Sequence, residues 1–463
     1  MIRIWGNSRL ARIGGEIRPM IRLAVPLVLA EIGWVTMGIV DSMMVGRLPN
    51  GAEAIGATSL GNLLFNIIGI FGGGLMLGLD TLVSQSYGAG RVNDCHHSLV
   101  NGIYLLLPVT AVLLGLAWSL IPMLPNLGID PSLLTLAVPY FGALAWSAPP
   151  LMLYFAFRRY LQGMGLVKPV AVALVVANLA NIFGNWVLIY GNLGAPAMGV
   201  EGSGWSTCIA RAIMAAILFF CIVHYERRHR WGLSRAALRP DFARIKRLLV
   251  LGMPAAMHIA LEVGVFGAAT VLASTLGAVA LASHQIALLT TSLTFMVPLG
   301  VASAAAVRVG QEFGRRNPHR AGRAGWTAIA LGAAFMLASG LAFVLAPRFI
   351  VRLYTHDAEV VALGATLLGI AAVFQLFDGL QGVAIGALRG AGDTRTAMLT
   401  HFVCDWCIGL PVAWYLCFGR GWSVAGLWVG LSLAMILAGI VLALAWARRV
   451  RRFSAWTAHV SGR

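Results

Sequence analysis

Stretches of apolar sequence long enough to cross a bilayer recur along almost the whole chain, at roughly 22–45, 53–80, 98–121, 134–156, 169–190, 202–224, 247–272, 278–306, 323–346, 360–385, 396–418 and 423–447. Hydrocarbon offers no partner to a backbone N–H or C=O, so a spanning segment must be a helix or part of a closed barrel. About 20 apolar residues of helix cross about 30 Å of hydrocarbon. These runs predict an all-α membrane protein of twelve transmembrane helices. Composition agrees: 59% of the 463 residues are hydrophobic and 11% charged, whereas a soluble surface needs about 25% charged residues.

The net charge of +17 is a matter of topology. Of the 34 Lys and Arg, 29 fall on one side of the predicted helices, in the N-terminal segment, the even-numbered loops and the C-terminal tail. Arg47, Arg348, Arg352 and Arg420 fall opposite, and Arg211 lies within a helix. Lys and Arg resist translocation, so the rich side is cytoplasmic and both termini are expected there. Charge so distributed is no nucleic-acid footprint. The Arg-rich first 22 residues run straight into a segment long enough to span, without a small-residue cleavage site. The six cysteines lie in helices or near the cytoplasmic face; even Cys404-Asp-Trp-Cys407, with redox spacing, reads as packing because it sits in an apolar helix.

One architecture is used twice. Val83-Ser-Gln-Ser-Tyr-Gly88 matches Val309-Gly-Gln-Glu-Phe-Gly314, Leu161-Gln-Gly-Met-Gly165 matches Leu388-Arg-Gly-Ala-Gly392, and Pro26 matches Pro254, at separations of 226 to 228 residues. The expected organisation is a six-helix lobe over 1–224, a basic cytoplasmic crossover over 225–246 and a second six-helix lobe over 247–463. An even number of spans per lobe makes the repeat parallel. Gly69, Gly72, Gly73, Gly74 and Gly78 crowd the second helix, serving close packing, bending or both.

A charge at the bilayer centre costs about 2.5–3.5 kcal/mol, so the few present mark cavities and function. Away from helix ends they are Glu31, Asp41, Arg211, Glu262, Asp378 and Asp405. Asn181 and Asn185, four apart, share a helix face; Asn178 lies one turn before, and Thr207 adds a hydroxyl on the next helix. An acid, two amides and a hydroxyl are hard oxygen ligands suited to a small cation or a proton. Polar residues also glue helices together, so the asparagine pair alone leaves both readings open. In the second lobe, Glu262 and Asp378 are carboxylates for which a proton, Na⁺ or a cationic substrate compete. Arg211, on the face of Thr207, is expected to pair with an acid such as Glu31. Asp405 is the repeat counterpart of Asn178, a candidate for lining the cavity. His258 and His284 read as satisfied bundle residues.

The chain resembles the multidrug and toxic compound extrusion (MATE) family, bacterial NorM-like branch, from about Leu23 to about Val441. The resemblance rests on Pro26, Val40-Asp-Ser-Met-Met-Val-Gly46, Leu79-Asp-Thr-Leu-Val-Ser-Gln-Ser-Tyr-Gly88 and Gln162-Gly-Met-Gly165 in the first lobe. In the second it rests on Gly252-Met-Pro254, Leu261-Glu-Val263, Ser283-His-Gln-Ile-Ala287, Val307-Arg-Val-Gly-Gln311 and Leu388-Arg-Gly390. It implies a V-shaped pair of six-helix lobes that exports organic cations in exchange for Na⁺ or H⁺ by alternating access, rocking about the crossover. Asp41, Asn181, Asn185 and Thr207 match the family's first-lobe cation site. Glu262 and Asp378 match the second-lobe acids. Phe374 stands where relatives place a Tyr one turn before that second acid, which weakens the case for Na⁺ there, and Asn185 stands where some relatives have Asp.

The expected protein is therefore a monomeric transporter of the bacterial inner membrane. It is no enzyme and has no cofactor and no metal beyond Na⁺; its partners are lipid and small organic cations. A lipid-linked glycan flippase of related fold is the alternative, yet it should carry several basic residues in cavity-facing helices, and only Arg211 qualifies. A major-facilitator transporter should show an Asp-Arg signature after helix 2, where the chain has Tyr87-Gly-Ala-Gly-Arg-Val-Asn93. An intramembrane enzyme needs a nucleophile with its base, or a metal cluster, and the dispersed histidines supply neither. A Gly-x-x-x-x-Gly-Lys-Ser/Thr run for ATP is lacking.

Overall fold

The computed structural model describes residues 4–127, 130–229 and 239–461, so the expected crossover at 225–246 lies partly outside the described residues. The chain forms α1 (Ile4–Val45), α2 (Gly51–Gly88), α3 (Val92–Leu120), α4 (Pro131–Ala145), α5 (Ala148–Gly163), α6 (Lys168–Leu188), α7 (Gly199–His229), α8 (Phe242–Ser274), α9 (Ala278–Gly314), α10 (Pro318–Leu345), the short α11 (Pro347–Arg352) and α12 (Ala358–Gly390). The last two helices are α13 (Arg395–Gly419) and α14 (Ser423–Ser461). Among the described residues eleven helices are long and apolar enough to cross a membrane, and α4 and α5, bent by 45° at their junction, are together long and apolar enough for a twelfth span. The expected all-α membrane architecture is present.

Sequence explains the bend. Pro149 and Pro150 occupy the first turn of α5, where a missing N–H is tolerated, but they cannot continue α4 because each ring clashes with the carbonyl four residues earlier. The repeat counterpart, α12, contains no proline and runs unbroken for 33 residues. In α13, Pro411 lies between π-helical turns at Phe402–Gly409 and Tyr415–Gly419. Pro411 takes one N–H out of the ladder there, whereas Pro108, Pro254 and Pro298 are accommodated in α3, α8 and α9 without π-helical turns.

The duplication extends to backbone detail. Gly165 and Gly392, 227 apart, take left-handed φ of 82° and 83°. Gly90 takes φ 74°, and its counterpart Arg316 is held at φ 57° despite its Cβ.

The chain divides into two compact units, Leu29–Ala256 and Met1–Val28 with Met257–Arg463. In the first, Gly74 lies against Ala256 and Gly78 against the Leu248 carbonyl, while Gly69 faces open space. Gly74 and Gly78 are therefore packing glycines that let α2 and the start of α8 approach. In the second, Gly386 and Gly390 of α12 lie against the backbone of Ala302 and Ala306 of α9.

Candidate functional site

Asp41 lies four residues before the end of α1 and is buried. Asn181 and Asn185, one turn apart on α6, turn the same face toward it. Asn185 Nδ2 donates to Asp41 Oδ1 at 2.6 Å, and Thr207 Oγ1 of α7 donates to Asp41 Oδ2 at 3.1 Å. Asn181 Nδ2 donates to Thr207 Oγ1 at 3.4 Å, and Asn185 Nδ2 is shared with Asn181 Oδ1 at 3.3 Å. Asn185 Oδ1 is buried with no hydrogen-bond partner. All four residues expected at the first site converge, drawn from three helices. Tyr190 OH donates to the Met44 carbonyl at 2.7 Å and pins the end of α1 beside α6.

Asn178, one turn below, spends its amide N–H on the Gly33 carbonyl at 3.1 Å, which ties α6 to α1. Arg211 corrects an expectation. Its guanidinium donates to Ser147 Oγ at 2.5 Å, at the break between α4 and α5, and lies 4.5 Å over the Phe65 ring and 5.9 Å from the Trp34 ring. Glu31 is instead paired with Arg158. Arg158 reaches it from α5, whereas Arg211 faces the aromatic wall.

In the second unit, Glu262 lies mid-α8 and Asp378 mid-α12, within Coulombic range of each other. Gln381 Nε2, shared between two acceptors, donates to Asp378 Oδ1 at 3.1 Å and to Met435 Sδ at 3.0 Å. Phe374 is buried and stacks on Trp428, with centroids 6.1 Å apart. The Trp428 indole N–H donates to His284 Nδ1 at 3.1 Å, and Thr270 Oγ1 lies 2.9 Å from His284 Nε2, so His284 is the satisfied bundle residue expected. Asp405 is fully buried and lies 2.7 Å from His401 Nδ1.

Sequence reasoning counted Arg158 and Arg159 among the cytoplasmic-side cations and passed over Asp80 and His401. Arg159 Nη1 lies 3.4 Å from Asp80 Oδ2, so a buried ion-pair network joins α2, α5 and α1. The signal for His401 was available: an acid four residues on shares its helix face.

Two six-span halves, each holding carboxylates and amides inside apolar helices, define a duplicated membrane transport protein. The sequence model of the MatE family matches residues 26–187 and again 254–415, two stretches offset by 228 residues. The chain is 35% identical over 443 residues to the probable multidrug resistance protein NorM of Mesorhizobium japonicum, covering 94% of each. It is 32% identical over 436 residues to the multidrug resistance protein MdtK of Yersinia enterocolitica, covering 93% of this chain and 94% of that one. The crystal structure of the eukaryotic MATE transporter AtDTX14 superposes with a TM-score of 0.85 at 21% identity, covering 96% of this chain and 99% of the other. The chain belongs to the MatE family, among relatives of the NorM type.

Proposed function

We propose that the chain is a cation-coupled antiporter that exports organic, mostly cationic, toxic compounds by alternating access, with Na⁺ or H⁺ as the driver. The observation that carries this reading is the cluster on Asp41: carboxylate, amide and hydroxyl oxygens from three spans, with one amide oxygen of Asn185 buried and unpaired. Hard oxygens so gathered suit a small cation. The multidrug-resistance names of the relatives support the substrate class. Asp41, Asn181, Asn185 and Thr207 hold the coupling ion, and Glu262 and Asp378 hold the organic cation. Phe374 offers no hydroxyl beside them. A tenfold inward gradient of the driver supplies about 1.4 kcal/mol per ion exchanged, which drives export of a monovalent cation uphill without net charge movement. The protein works as a monomer in the bacterial inner membrane with both termini cytoplasmic; the basic residues gathered on one side of the spans support that orientation.

The test is ethidium efflux from energised cells and from proteoliposomes under an imposed Na⁺ gradient or, separately, an imposed pH gradient. Asp41→Asn should abolish gradient-driven efflux. Full-rate efflux by that variant overturns the role given to Asp41.

A further inference from the structure

His401 and Asp405 stand one turn apart on α13, both at 0% exposure, with His401 Nδ1 2.7 Å from Asp405 Oδ2. They bracket the start of the π-helical turn Phe402–Gly409, a local geometry that recurs at functional sites. His401 Nε2 and Asp405 Oδ1 are buried atoms with no hydrogen-bond partner. A carboxylate that accepts from Nδ1–H fixes the tautomer and leaves the Nε2 lone pair as the working atom. Buried polar atoms are nearly always paired, so one that is not needs a reason.

The surroundings supply it. Asp405 on its own helix and the His258 ring of α8 lie beside the imidazole; Glu262, one turn beyond His258 on α8, shares that helix face, and Asp378 of α12 is within Coulombic range. The His258 ring centroid lies 5.7 Å away. α14 meets the stretch with Gly430 and Ala434, neither of which carries charge. Trp406 turns its indole N–H away, to the Leu261 carbonyl at 3.0 Å.

We propose that His401, oriented by Asp405, is a proton-binding site whose charge drives the organic cation off Glu262 and Asp378. A proton adds at Nε2 while Nδ1–H stays on Asp405. The imidazolium then occupies the electrostatic role of the departing cation, so a proton on His401 and a cation on Glu262 and Asp378 disfavour each other. Loss of that proton restores the acidic site for the next cation. This inference rests on the antiporter reading for its purpose, but the linkage between His401 and the acids is an equilibrium property, measurable without transport.

The experiment uses the full-length protein in lipid nanodiscs with histidine labelled at Cε1 with ¹³C, the His401 signal being assigned by its loss in His401→Gln. The signal should titrate, because a proton that enters and leaves must change the protonation state of this ring. Saturating ethidium should lower the proton affinity of His401 about tenfold, and by linkage protons should lower ethidium affinity by the same factor. Asp378→Asn should lower that proton affinity and remove the ethidium effect. Should His401→Gln fail to fold, Asp405→Asn supplies the assignment, because it perturbs this one imidazole. A His401 signal that does not titrate, or one indifferent to Asp378→Asn, overturns the proposal, and so does bound ethidium that leaves the titration unmoved. Linkage observed without gradient-driven exchange leaves the proton site standing and overturns the antiporter reading instead. If ethidium does not bind, the response to Asp378→Asn alone decides.

Discussion

Asn185 turns its amide N–H to Asp41, Nδ2 to Oδ1 at 2.6 Å, and leaves its own Oδ1 buried without a partner. A rotation of that amide would withdraw a donor from the carboxylate and offer an acceptor in its place. The donor serves an ionised Asp41, and the acceptor serves a cation beside it. The same side chain can therefore stabilise the site in two charge states.

Replacing Asn185 by Asp should make that choice one-sided. Two carboxylates at hydrogen-bond distance repel unless a cation or a proton lies between them. Asn185→Asp should bind Na⁺ at least about tenfold more tightly than the parent at alkaline pH, since carboxylates are harder and more charged ligands than amides. Equilibrium ²²Na⁺ binding to the purified protein reads this directly. Unchanged binding would show that Asn185 Oδ1 does not face the ion.

Much of this was legible in the chain because hydrocarbon imposes its own grammar. Apolar runs mark spans, and Asp41, Asn181 and Asn185 are conspicuous because lipid tolerates so few polar groups. Partners were harder to read. Position along a span says how deep Glu31 lies but not whether Arg158 or Arg211 faces it, since helix rotation and the break at Ser147 decide that. Helices also continue past the hydrocarbon: α2 runs from Gly51 to Gly88, beyond the apolar limit near residue 80. Arg159 was accordingly counted with the cytoplasmic-side cations although it pairs with Asp80 inside the unit. The π-helical turn that carries Asp405 lies just before Pro411, and a proline alone does not announce it, since Pro254 and Pro298 sit in regular α-helix.

The Glu31–Arg158 pair should behave as buried ion pairs do. Removing one partner leaves the other charge uncompensated, so Glu31→Gln should cost about 3–5 kcal/mol of stability. The double variant Glu31→Leu with Arg158→Met removes both charges and should recover most of that loss. Denaturant unfolding in detergent, followed by tryptophan fluorescence, measures the cycle. Equal destabilisation by the single and double variants would mean that packing of the two side chains, and not their charge, sustains the contact.

On α12, Gly386 and Gly369 make a matched pair. A Cβ on Gly386 would run into the backbone of Ala302, whereas one on Gly369 meets nothing within 4 Å. Gly386→Ala should therefore destabilise by about 1–3 kcal/mol through overpacking. Gly369→Ala should stabilise by about 0.5–1 kcal/mol, because a helical glycine loses more conformational freedom on folding than alanine. Similar unfolding midpoints for the two would contradict the close approach of α9 and α12.

Arg211 is a buried cation within Coulombic range of Asp41, held by one hydroxyl and two aromatic faces. Its positive charge opposes any cation that arrives at Asp41, so it lowers the affinity of the site. Methionine has similar length, packs well against Phe65 and Trp34, and removes the charge. Arg211→Met should therefore fold, and it should lower the driver concentration, Na⁺ or H⁺, that gives half-maximal ethidium efflux by about threefold to tenfold. The maximal rate should fall if release of the ion becomes limiting. Arg211→Lys keeps the charge but loses the planar stacking and should leave the half-maximal concentration near that of the parent. If Lys and Met behave alike, the guanidinium acts by bracing the break between α4 and α5 and not by setting the potential at Asp41.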